Sequence, residues 1–84
     1  MPEIRNGKER NRNEAEDILA KMNDMLRERN FGKVIMDKRY WQLQEKLRRL
    51  GWLGLVKQIK AEKGELHAQL KLVDSNSNEV RDLP

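Results

Sequence analysis

Cysteine is missing from this chain, so disulfides, iron–sulfur clusters and thiolate zinc sites are excluded. Threonine is missing too, and the only serines, Ser75 and Ser77, fall in one polar stretch near the C-terminus. The single histidine, His67, has no second histidine to pair with and no acidic or nucleophilic partner at motif spacing. A Ser–His–Asp nucleophile system therefore has no footing. Glycines at 7, 32, 51, 54 and 64 match no phosphate-binding loop. Asp74 to Glu79 lacks the ligand pattern and central glycine of a calcium loop. No metal or cofactor is implied, and the expectation is a protein without enzymatic activity. No run approaches the roughly 18 apolar residues of a membrane span. The opening stretch MPEIRNGKERNRNEAED has no apolar core of the kind a secretion signal needs. No membrane is expected as a partner, and the expected compartment is the cytoplasm.

What remains is a short, charged chain. Its 84 residues fit one domain, with apolar residues at 37% and charged residues at 38%. A unit this small buries roughly 60 to 65% of its chain surface, and dimerisation is a natural way to enlarge its core. The net charge of +4 is unevenly spread. Residues 1–32 hold seven basic and seven acidic side chains; residues 33–63 hold nine basic against three acidic, a net of +6. Residues 64–84 hold two basic against four acidic. A basic middle third is the footprint expected for a polyanion, although Lys and Arg also keep small domains soluble.

Residues 1–12 are polar, contain Pro2 and Gly7, and read as a flexible arm; basic arms can reach into a DNA minor groove. A first helix is expected from Asn13, a good N-cap, with Glu16 three places on. Ala15, Ile18, Leu19, Met22, Met25 and Leu26 then form one apolar stripe at helical spacing, which ends near Asn30. That stripe, or the Trp41 side of the next helix, is the candidate face for a homodimer. FGKVIM, 31–36, reads as a short strand or an apolar connector, too short for both a turn and a helix. A second helix is expected over about 38–50, capped by Asp37, with the stripe Tyr40, Leu43, Leu47 and Leu50. Gly51 stands where a left-handed C-cap is wanted, and Arg48 and Arg49 suit the helix dipole.

Beyond Gly51 the pattern changes. ELHAQLKL alternates, with Leu66, Ala68, Leu70 and Leu72 on one side and Glu65, His67, Gln69 and Lys71 on the other. This predicts a hairpin of 55–61 and 65–73 joined by EKG. The rival is a third helix, since helix formers are common here and Ile59, Lys63, Leu66, Leu70 and Val73 keep heptad-like spacing. The fold class is thus α+β, two amphipathic helices packed on a C-terminal hairpin in winged-helix-like order, with an all-α three-helix fold as the alternative. The domain spans 13–74, and 75–84 is a loose tail.

Binding is the function class left. On the second helix, Lys38, Gln42, Lys46 and Arg49 line one side at spacings of 4, 4 and 3, with Arg39 flanking them and Glu45 among them. Glutamine can read an adenine edge and arginine a guanine, while lysines contact phosphates. An exposed helix that binds nothing is dressed in the same way. Lys57, Lys60 and Lys63 would ride on the hairpin as a wing. Trp52, just past the cap glycine, is expected in the core. Trp41, beside the apolar stripe, is expected either to finish the core or to face a base or a partner. The expected partner is nucleic acid, duplex DNA before RNA, because two strands are a poor platform for single-stranded RNA. The rival is a protein-interaction module or inhibitor subunit.

Overall fold

The computed structural model describes residues 2–75, with side chains from 11 onward. It contains three helices followed by a two-stranded antiparallel hairpin: α1 Pro2–Glu28, α2 Phe31–Val34, α3 Lys38–Arg49, β1 Trp52–Glu62 and β2 Glu65–Asp74. The α+β class holds, and 55–73 is strand rather than a third long helix.

The long helices form where their apolar stripes lie. Ala15, Met22 and Leu26 of α1 are fully buried, as is Leu47 of α3, and Tyr40 is 4% exposed. Ile18, Leu19, Met25, Leu43 and Leu50 pack around them, half-buried. Met22 and Leu26 are buried within one chain and serve the monomer's own core, while Met25 of the same stripe is half-buried. Asp37 caps α3 by accepting the Arg39 N–H at 2.9 Å. Gly51, at φ 91, takes the left-handed conformation that ends the helix.

Two expectations are corrected in the first third. The backbone is helical from Pro2, so Asn13 lies inside α1 and is not its cap. The segment 1–12, set apart as an arm, is continuous with the helix over 2–12. Proline suits a first helical position, and no strong breaker follows it; one glycine costs only about 1 kcal/mol. Arg12 pairs with Glu16 across the expected cap at 3.2 Å and stands 5.6 Å from the Trp52 ring centroid. The second correction concerns 31–36, which does hold both a helix and a turn. Val34 N–H donates to Asn30 O at 3.2 Å and Ile35 N–H to Phe31 O at 3.1 Å, closing one helical turn. Met36 N–H to Lys33 O and Asp37 N–H to Val34 O then turn the chain into α3. Val34 is the anchor, fully buried in the core. The helices therefore number three among the described residues, two long and one a single turn.

The hairpin is longer than expected. Its loop is the pair Lys63–Gly64, at φ 49 and φ 80, and Glu62 belongs to β1. Two successive positive-φ residues are what a tight type I′ loop requires, and glycine makes the second inexpensive. Register runs from Glu62 opposite Glu65 to Trp52 opposite Asp74, with a bulge at Lys57 between Val56 and Gln58. One face of this ribbon closes the core with Trp52, Ala68 and Leu70. Leu66, on the same side by alternation, is 47% exposed.

Both outer edges of the ribbon are held by side-chain amides. Along β2, Leu70 N–H donates to Asn23 Oδ1 at 2.8 Å and Asn23 Nδ2 donates back to Leu70 O at 3.4 Å. Leu66 N–H donates to Asn30 Oδ1 at 2.8 Å. On β1, Gly54 and Gln44 exchange two bonds of 3.1 Å each. Gly54 is closely packed: a Cβ there would lie 2.9 Å from Leu19 Cδ1 and 3.2 Å from Leu70 Cδ1, so these side-chain ends would have to shift to admit one. The segment 76–84, most of the expected tail, lies outside the described residues.

Candidate nucleic-acid interface

The outer surface of α3 is set by its N-terminus. Asp37 accepts from the Arg39 guanidinium at 3.3 and 2.9 Å and from Arg29 at 3.2 Å. The Arg39 side-chain bonds, followed by the Arg39 backbone N–H, lower the Asp37 carboxyl to about 2. Arg39 is thereby held close to the helix start, while Arg29 ties the end of α1 to it.

Two shallow grooves flank the outer side of α3. One, of about 550 Å³, is lined by Lys38, Trp41, Gln42, Glu45, Lys46 and Arg49. The other, of about 370 Å³, lies between α1 and α3, with Lys21, Glu28, Arg29, Arg39, Gln42 and Lys46 over Met25 and Leu43. Gln42 and Lys46 line both, so the grooves lie side by side along α3. Glu45 is occupied within this surface: Arg48 chelates it at 2.8 and 3.0 Å, and Arg49 stands 3.7 Å away. That contact with Arg48 holds its carboxyl below the usual range.

Trp41 is 51% exposed and does not finish the core. Its Nε1–H donates to the Ile35 carbonyl at 2.6 Å, and its ring meets Tyr40 edge-on at 5.0 Å. The indole is fixed in place with one side toward the groove. Trp52, at 8% exposure, is in the core as expected.

Thus Lys38, Gln42, Lys46 and Arg49 come together with Trp41 in one groove, and Arg39 falls into its neighbour. The hairpin lysines line neither groove. Lys60 faces a separate depression of about 250 Å³ with Asn23, Arg27, Gln58, His67 and Gln69. Lys57 is the bulge residue, and Lys63 stands in the loop at the hairpin's far end. His67, on the polar side of the strand alternation, is partly covered: its Nδ1 lies 3.0 Å from Leu26 O and its Nε2 3.4 Å from Glu65. Reasoning from sequence missed Lys21 and Arg29 of α1. Their spacing to Met25, four residues either way, would have placed both beside the apolar stripe.

Among the described residues no helix is long and apolar enough to cross a membrane. No known protein family, no curated protein and no solved structure matches this chain.

Proposed function

We propose that this chain is a small, non-enzymatic, nucleic-acid-binding protein of the cytoplasm that docks on duplex DNA, as a regulator or accessory factor. One observation carries the reading: the two neighbouring grooves carry Lys21, Arg29, Lys38, Arg39, Lys46 and Arg49 against Glu28 and Glu45, with Asp37 paired to Arg29 and Arg39 beside them. A basic surface along one helix, with a glutamine at its middle, suits phosphate docking with limited base contact. The arrangement we infer is winged-helix-like. Here α3 is the reading helix, α2 its one-turn support, and the hairpin a wing that offers Lys57, Lys60 and Lys63 to flanking phosphates. RNA is the less favoured ligand, because a two-stranded ribbon offers little surface on which bases can stack.

The test is a fluorescence-anisotropy titration of labelled duplex DNA over a range of salt, with wild type and a Lys46→Gln, Arg49→Gln double variant. Wild-type affinity should fall steeply with salt, and the double variant should flatten the log–log slope by roughly 1 per lost phosphate contact. An unchanged slope with an intact fold would mean that this surface is only solvated. A second reading, a protein-interaction module, is favoured by the half-exposed, fixed Trp41 and by Met36, which is 85% exposed. It would take the lead if no duplex bound at low salt.

A further inference from the structure

The ribbon's amide clamps leave one stretch of edge uncovered. Leu66, Leu70 and Gly54 all turn their backbone N–H outward, since each donates to a side chain outside the sheet. In an antiparallel ladder the residue directly opposite an outward-facing one also faces outward. By the register, Leu66 lies opposite Ala61, Leu70 opposite Val56, and Ala68, between them, opposite Ile59. Val56, Ile59 and Ala61 therefore direct their N–H and C=O groups to the open side of β1. Gln44 covers that edge only at Gly54. From Val56 to Glu62 every residue is exposed.

The side chains along this edge are unusual for open solvent. Val56 is 45% exposed and Ile59 49%, both on one face of the ribbon, and Leu66, across from Ala61 on β2, extends that exposed apolar face at 47%. Proteins blunt open edges with charge, and this strand with the loop residue after it carries Lys57, Lys60 and Lys63 against Glu62 alone. The lysines and the bulge count against a second copy: two such edges side by side would bring six lysines together over two glutamates. They favour a strand of the opposite charge.

We propose that the open edge of β1 receives an extended, acidic segment of a partner protein by strand addition. Ile59 and Ala61 supply the regular hydrogen-bonding positions. Val56, Ile59 and Ala61 take apolar side chains at alternate positions of the guest, and the lysines take its carboxylates. This interaction surface is separate from the α1–α3 grooves and does not rest on them, but Lys57, Lys60 and Lys63 are also the wing residues of the nucleic-acid reading, so duplex and guest strand would compete for them.

The probe is a capped alternating Glu-Val peptide of about eight residues, added to the full chain while amide hydrogen exchange is read by NMR. In the free protein, Ile59 and Ala61 amides should exchange fast and the Leu66 and Leu70 amides slowly. With peptide at ten times its Kd, exchange at Ile59 and Ala61 should slow about tenfold. The same peptide N-methylated at every residue should have no effect, because neither of its edges can then donate along β1. Lys57→Glu and Lys60→Glu should each weaken binding by up to roughly fivefold, and unchanged protection of Leu70 would show that the fold is intact. The proposal is overturned if Ile59 and Ala61 are already protected in the dilute free protein. It is equally overturned if their protection grows with protein concentration alone, which would assign the edge to a second copy. A Lys-Val peptide that binds as well as the acidic one would also end it.

Discussion

Asn23 of α1 and Leu70 of β2, 47 positions apart, exchange two hydrogen bonds, and the side-chain amide thereby replaces a missing neighbour strand. A backbone N–H and C=O left bare beside the core would be costly. Asn23→Ala should therefore lower stability by about 1–3 kcal/mol, which in a domain of this size is a fall of several degrees in Tm. Asn23→Asp, which keeps the acceptor and loses the donor, should fall between the two. Thermal melts followed by circular dichroism would decide, and a neutral alanine variant would show that water replaces the amide at no cost.

Leu47 is the centre of the α3 contribution to the core, fully buried among Tyr40, Leu43 and Leu50 of its own stripe. Leu47→Ala should cost about 2–5 kcal/mol through lost transfer energy and the cavity left behind. In a small domain with a total stability of roughly 5 kcal/mol, that is enough to unfold much of the population. Urea titration would show the midpoint falling sharply. A shift no larger than that of an exposed-site control such as Gln42→Ala would mean that α3 packs through another face.

The hairpin loop offers a change in the opposite direction. Lys63 holds φ 49, a conformation that costs most side chains about 1–2 kcal/mol and that asparagine tolerates. Lys63→Asn should raise Tm, by an amount corresponding to about 0.5–1 kcal/mol. Gly64→Ala should lower it, although nothing lies within 4 Å of the added carbon, because φ there is +80. Parallel melts of the two variants check the pair, and equal shifts would remove the backbone explanation.

These cases show what the chain's own pattern reveals. The stripes on α1 and α3, the Asp37 cap, the Gly51 stop and the alternation of β2 are local, repeating signals, and each appears in the fold at or near its expected place. The α+β class follows from them. Hidden were α2, whose single turn is too short to carry a period, and the true start of α1, where polar residues give no stripe to follow. The amide clamps were hidden for a different reason. Asn23, Asn30 and Gln44 look like solvated positions, and their partners are fixed only when distant segments meet. The candidate site was half legible: the α3 residues share one helix, so spacing alone groups them, while Lys21 and Arg29 join them only through helix packing.

His67 makes the stability of the domain depend on pH. Its Nδ1–H donates to the Leu26 carbonyl near the end of α1, and this bond, followed by the charges of Glu65 and Glu62, raises the imidazole above its ordinary value of 6.5. A raised folded value means that the charged form is favoured by folding. Its contribution is complete below the unfolded value and is lost as pH rises through the folded one. Wild-type Tm should therefore fall modestly as pH rises from about 6 to about 8. In His67→Gln that slope should be absent, and its Tm should be nearly level over the same range. Differential scanning calorimetry across this window would show it. Equal slopes in both proteins would place the titration elsewhere.

Asp37 joins the fold to the proposed function, because one carboxylate caps α3 and restrains Arg39 and Arg29. Asp37→Asn keeps an oxygen to accept the Arg39 N–H, so the cap survives, but it releases both guanidinium groups and removes a negative charge from beside the grooves. Duplex DNA should bind more tightly to this variant at low salt, and its log–log salt slope should steepen by about 1 for each arginine that then reaches a phosphate. The sign for stability is the reverse. The depressed carboxyl, at about 2 against an ordinary 3.8, stabilises the fold above 3.8, and that contribution disappears as pH falls through about 2. The variant should accordingly melt slightly lower at neutral pH and lose part of the wild-type acid sensitivity. Anisotropy titrations and acid melts on the same preparations would separate the two effects. A variant that lost its acid sensitivity yet bound duplex with the wild-type slope would show that Arg39 and Arg29 serve only to hold α3 in place, and would leave phosphate contact to Arg49 and the lysines.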